Sequence, residues 1–159
     1  MNPFPRMHVS LYVSNIKKTI EFYTLFFGQK PVKIKSDYAK YILEKPSLII
    51  SFVEDIEKVR SNFGHLGFQV ESVDMLNYIL TEARKNNMVS LEETKINCCY
   101  AKQDKFCLND PDGIQWEVYY FHSDSEFYDP RYEQQDKTLQ VENQLKFSIP
   151  VLNQEPSCC

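Results

Sequence analysis

The 159-residue sequence is short of several features at once. No apolar run approaches the roughly 18 residues that a membrane-spanning helix needs, so no membrane partner is expected. Met1 to Arg6 offers neither the apolar core nor the small-residue cleavage site of a secretory signal, and a cytoplasmic protein is expected. Basic excess is missing too. The formal net charge is −4, and residues 123–159 account for all of it with seven acids and three bases, leaving fifteen of each in residues 1–122. Without a basic footprint, nucleic acid is not an expected partner. Cysteine numbers five, with two adjacent pairs, Cys98-Cys99 and Cys158-Cys159. An odd count with neighbours side by side is poor material for a disulfide framework and fits free thiols. Histidine is scarcer still, at three residues.

Two of those histidines open matching segments. His8 begins a run to Val13 followed by Ser14 and Asn15, and His65 begins a run to Val70 followed by Glu71 and Ser72. In the first, Val9, Leu11 and Val13 alternate with His8, Ser10 and Tyr12; in the second, Leu66, Phe68 and Val70 alternate with His65, Gly67 and Gln69. This is the period of a strand with one apolar face. A helix follows each. Ser14 or Asn15 can cap the first, which carries Ile16, Ile20, Tyr23 and Phe27 and stops at Gly28; Ser72 caps the second, which carries Val73, Leu76, Leu80 and Ala83 and ends at Asn86 and Asn87.

Three further strands are predicted after each helix: 31–34, 38–43 and 48–53 in the first unit, and 89–95, 105–109 and 114–121 in the second, with a turn at Asp110 to Gly113. Residues 96–104 read as a loop. The expected fold class is α+β, with paired βαβββ modules at about 6–53 and 63–121 forming a half-open curved sheet around a metal site. One domain, 1–122, is expected, because either module alone is too small to bury a good core. Residues 123–159 read as an acidic, partly flexible C-terminal tail in which 127–132 can still dock on the body.

In the last strand Gln115, Glu117, Tyr119 and Phe121 share a face. If the polar faces of the three strands converge, His8, His65 and Glu117 meet as ligands of one divalent ion. Two imidazoles and a carboxylate leave coordination positions free for substrate and dioxygen, a set that suits non-haem Fe(II); catalytic zinc uses similar ligands, and the ligand set alone does not select the metal. His122 reads as an exposed residue at a strand end. Cys107, between Phe106 and Leu108, reads as a core thiol. Tyr12 and Tyr119 share faces with His8 and Glu117 and are candidates to line a pocket.

The paired modules with His8, His65 and Glu117 resemble the vicinal oxygen chelate superfamily, which includes glyoxalase I, extradiol dioxygenases and bleomycin-binding proteins, over about residues 5–122. Asn97 to Lys102, followed by Asp110 to Gly113 and by Trp116 and Glu117, is more specific and resembles the ArsI-type carbon–arsenic lyases and the cadmium-induced proteins close to them. That resemblance implies Fe(II) on His8, His65 and Glu117, a trivalent organoarsenical, methyl or aryl, on Cys98 and Cys99, and O2-dependent release of arsenite. A homodimer is common in that superfamily.

Adjacent thiols suit that substrate. Trivalent arsenic is soft, and with one carbon substituent it keeps two exchangeable positions for two thiolates. Neighbours on a regular strand point to opposite faces, so chelation requires Cys98 and Cys99 to sit in an irregular segment. Two alternatives carry different signatures. A thiol-based Cd(II) or As(III) sequestration protein binds without consuming oxygen, and an extradiol-type dioxygenase cleaves catechols with the cysteine pair dispensable. Cys158 and Cys159 are open as a thiol capture arm or as residues without a role.

Overall fold

The computed structural model describes residues 5–98 and 101–124; the side chains of residues 95–98 lie outside it, as do Cys99, Tyr100 and the tail from residue 125 onward with Cys158 and Cys159. The chain forms β1 (Met7–Val13), α1 (Ile16–Phe27), β2 (Lys33–Lys35), β3 (Tyr38–Leu43) and β4 (Leu48–Glu54), then a short 3-10 turn (Ile56–Lys58). The order repeats as β5 (His65–Gln69), α2 (Val73–Lys85), β6 (Val89–Cys98), β7 (Ala101–Asn109) and β8 (Gln115–Asp124).

Each module makes its own four-stranded sheet, in the orders β1-β4-β3-β2 and β5-β8-β7-β6. The first strand of each pairs in parallel with the last, and the other pairings are antiparallel. Neither sheet closes into a barrel. β1 and β5 are therefore the corresponding edges of the two sheets, each with one ladder neighbour among the described residues.

Helix ends follow the sequence signals. Asn15 Oδ1 accepts the Lys18 N–H at 3.0 Å, and Glu54 Oε2 accepts the Ile16 N–H at 2.6 Å, so two of the four orphan donors of α1 are satisfied and an acid sits at its positive end. Gly28 ends it at φ 64, a conformation that other residues enter at a cost. Ser72 Oγ accepts the Met75 N–H at 3.1 Å to start α2. No helix among the described residues is long and apolar enough to cross a membrane.

Helix α1 fastens the modules together. The Tyr23 ring lies 4.2 Å from Phe52 of the first sheet and 6.0 Å from Trp116 of the second, while Phe26 lies 5.9 Å from Phe68. Both sheets thus turn their apolar faces towards this aromatic cluster and present their polar faces away from it. A polar seam runs through the cluster: the Trp116 Nε1–H donates to the Tyr23 hydroxyl at 3.0 Å, and that hydroxyl donates to Asp110 Oδ2 at 2.7 Å. Asp110 Oδ1 accepts the N–H groups of Asp112 and Ile114, fixing the turn into β8. Burial, then the Asp110 charge, holds the Tyr23 hydroxyl well above its ordinary pKa, which keeps it a donor. Tyr23→Phe leaves a buried carboxylate oxygen and an indole N–H without these partners. A loss of about 2–4 kcal/mol is expected, read as a drop in thermal midpoint of roughly 5–15 °C by circular dichroism; an unchanged midpoint would remove the seam from the account of stability.

Two expectations need correction. Residues 96–98 and 101–104 are strand and not loop: β6 runs to Cys98 and β7 starts at Ala101, with Cys98 paired to Ala101 and Asn97 to Lys102. The polar stretch is hidden as strand because its polar groups are buried with partners; Gln103 and Asp104 are 5% and 6% exposed, and Asp104 Oδ2 is 2.9 Å from His122 Nε2. His122 is exposed near the end of β8, as expected, with its ring against Tyr120 and Nε2 on the Asp104 carboxylate. Cys107 is buried as expected, yet it is disulfide-bonded and not a free thiol.

Candidate metal centre

The face of the second sheet that carries no helix gathers the charged residues. Glu117 comes from the middle of β8, where the core residues Trp116 and Val118 point the other way at 2% and 0% exposure. Its neighbour in register on β5 is Gly67, and a Cβ there would stand 2.7 Å from the Glu117 carbonyl oxygen. Glycine at that point lets the two strands approach. His65, two residues earlier on β5, brings Nε2 to 4.0 Å from Glu117 Oε1. The pair is graded in exposure, 36% for the imidazole and 9% for the carboxylate, so the site opens to solvent on the histidine side.

The other carboxylate oxygen is occupied. Lys105 of β7, with a fully buried side chain, places Nζ 3.1 Å from Glu117 Oε2 and 3.5 Å from Glu93 Oε2 of β6. Tyr119, in register with Lys105, donates its hydroxyl to Gln69 Oε1 at 3.2 Å on the same face. Lys105 and Glu93 are site residues that sequence reasoning missed. The available signal was slight: a lysine two positions before Cys107 in a strand whose other members, Phe106 and Leu108, are apolar.

His8 is placed differently. It is exposed at the start of β1, with Nε2 3.4 Å from the Ser51 hydroxyl of β4, on the helix-free face of the first sheet. Tyr12 shares that face and has Lys58 Nζ 5.1 Å from its ring centroid. The structure thus brings His65 and Glu117 together and leaves His8 on the other sheet; no three His, Cys, Asp or Glu side chains among the described residues form a metal-holding group. The donor chemistry fits an ion at His65 and Glu117, where an imidazole nitrogen and a carboxylate oxygen face one another across a gap.

Of the two cysteines expected to hold substrate, Cys98 is the last residue of β6 and its side chain lies outside the description, and Cys99 lies outside the described residues altogether. The β6–β7 ladder locates the described residues on either side of Cys99. Cys107 is opposite Glu117, and Ala101 is six residues along β7, about 20 Å for a straight strand. The ladder is not regular, with register shifts between Glu93 and Ile96 and between Lys102 and Gln103. These breaks set off the outer hairpin from the part of the sheet that carries Lys105 and Glu117.

Two βαβββ modules joined through α1, each with a polar sheet face away from the helices, define a paired-module α+β protein. The chain belongs to the glyoxalase/bleomycin resistance protein/dioxygenase superfamily, matching that family over residues 7–118. It is 44% identical over 114 residues to a protein of Bacillus sp. (strain MD1) named "Trivalent organoarsenical cleaving enzyme", covering 71% of each chain. It is 41% identical over 120 residues to a "Probable trivalent organoarsenical cleaving enzyme" of Bacillus subtilis (strain 168), covering 76% of this chain and 82% of the relative. Among solved structures, a glyoxalase/bleomycin resistance protein from Catenulispora acidiphila superposes with a TM-score of 0.57 at 21% identity, over 74% of this chain and 98% of that one. This last likeness speaks for the fold.

Proposed function

We propose that the protein cleaves the carbon–arsenic bond of trivalent organoarsenicals, methyl or aryl, and releases arsenite, as an Fe(II)- and O2-dependent enzyme. The observation that carries the reading is the pairing of His65 Nε2 with Glu117 Oε1 at 4.0 Å on an open sheet face, within a chain 44% identical to a named trivalent organoarsenical cleaving enzyme. His65, Glu117 and His8 would hold the metal, which when bound supplies the redox chemistry towards dioxygen.

The chain's own part is to bind and orient arsenic. Two thiols, Cys98 and Cys99, replace two hydroxyls of the hydrated organoarsenical, with two waters leaving, and the carbon substituent stays as the third bond. Thiolate is the reactive form, and soft sulfur matches soft arsenic. In this reading the outer hairpin, set off by its two register shifts, has to carry the chelated arsenic across the roughly 20 Å that separate Ala101 from the residue opposite Glu117.

His8 joins the site from the other sheet. The open edges β1 and β5 suit a homodimer in which His8 of one copy faces His65 and Glu117 of a second. The testing experiment is anaerobic Fe(II) loading in a thiol reductant, then aerobic reaction with methylarsenite and arsenic speciation of the products. Arsenite appearing only with both iron and oxygen is expected; tight binding with unchanged methylarsenite would make this a sequestration protein, and catechol cleavage in its place an extradiol-type dioxygenase.

A further inference from the structure

We propose that Lys105 is a positioning residue for the metal ligand Glu117: its ammonium group engages Oε2, so that a divalent ion is offered Oε1 alone, the oxygen that faces His65. The inference rests on the reading in which His65 and Glu117 hold that ion. Its basis is the division of one carboxylate between two partners, Oε2 with Lys105 Nζ at 3.1 Å and Oε1 with His65 Nε2 at 4.0 Å.

Packing alone does not account for a lysine here. Its side chain is fully buried, and taking an ammonium out of water is costly unless it is paired. An apolar chain of the same length would fill the volume without that cost. The ladder puts Glu93 directly across from Lys105 on β6, and Lys105 lies diagonally from Glu117 between β7 and β8. The ammonium therefore stands between two carboxylates on the face that carries the candidate ligands.

Two consequences for metal binding follow from charge and geometry. A cation 3.1 Å from the ligand carboxylate repels an incoming divalent ion, so affinity is lower than the carboxylate would give by itself. A carboxylate whose second oxygen is engaged binds through one oxygen, which keeps one more coordination position open for exchangeable ligands. Glu93 offsets part of the repulsion, leaving the three side chains at a net charge of −1 before the metal arrives. Glu117 is thus held ready for a metal that binds loosely enough to keep open positions.

The test uses the full chain, Co(II) titration for affinity, and water-proton relaxation of the Mn(II)-loaded protein to count metal-bound waters. Lys105→Met frees both oxygens of Glu117, and Co(II) is expected to bind at least about tenfold more tightly with a loss of one metal-bound water. Lys105→Arg keeps an N–H for Oε2 and is expected to restore both values. Glu93→Gln leaves Lys105 on Oε2 but removes the offsetting charge; Co(II) is expected to bind several-fold more weakly with the water count unchanged. A folded Lys105→Met protein with unaltered or weaker Co(II) binding overturns the proposal. If that variant does not fold, Glu93→Gln decides: binding as tight as the parent, or a changed water count, overturns it as well. Glu117→Gln separates this failure from that of the metal reading. If Glu117→Gln binds Co(II) as the parent does, the metal site itself is wrong; if it loses Co(II) while Lys105→Met changes nothing, only the role of Lys105 falls.

Discussion

Replacing Cys98 and Cys99 together by serine is expected to lower arsenite release from methylarsenite by at least about a thousandfold, with iron content near that of the parent protein. Two thiolates on one arsenic turn an encounter between substrate and metal site into a reaction within one complex, and serine hydroxyls are too hard and too weakly acidic to replace them. Iron content should hold because the proposed ligands, His65 and Glu117 on β5 and β8 and His8 on β1, do not include either cysteine. Iron and arsenic are to be measured in the same preparation, by metal analysis and by speciation. Normal turnover in the double variant would remove the cysteines from substrate binding and move the reading towards catechol-type substrates. Loss of iron along with turnover would show the hairpin acting on the metal site and not on arsenic alone.

Much of the frame was legible because it depends on local chemistry. The strand period at His8 to Val13 and His65 to Gln69, the caps Asn15 and Ser72, and the stop at Gly28 all hold in the structure. Glu117 was assigned to the face away from Trp116 and Val118 by alternation alone, and the contacts agree: Trp116 packs on Tyr23, while Glu117 meets Lys105 and His65. What was not legible depends on partners far along the chain. Gln103, Asp104 and Lys105 read as loop or as a strand margin because polar residues mark turns. They are buried in a strand because Asp104 meets His122, and Lys105 meets Glu93 and Glu117, each twelve residues away from it. No window of sequence shows such a partnership. The site was legible in its residue types and only partly in its geometry: symmetry between the modules predicts that His8 and His65 occupy related places, as they do at the starts of β1 and β5. Symmetry does not say whether the two places meet within one chain.

That question has an outcome as large as the cysteine pair, and it starts from inactive proteins. His8→Ala and Glu117→Ala are each expected to lose iron and turnover when prepared alone, since each removes one donor from every site. If two copies share their sites, a mixed dimer of the two variants holds one site that combines His8 from the Glu117→Ala chain with His65 and Glu117 from the His8→Ala chain. The other site of that dimer lacks both residues. Random pairing of equal amounts makes half the dimers mixed, so co-expression is expected to restore about a quarter of the parent activity. The same fraction should appear in iron content, which ties recovery to the metal and not to a change in folding. The motivation is the separation seen in the fold: His8 beside Ser51 on one sheet, His65 beside Glu117 on the other, and an edge strand at each place. Absence of any recovery, with both variants folded and co-purifying as dimers, would place the whole site within one chain and require β1 and β5 of the same copy to close on one another.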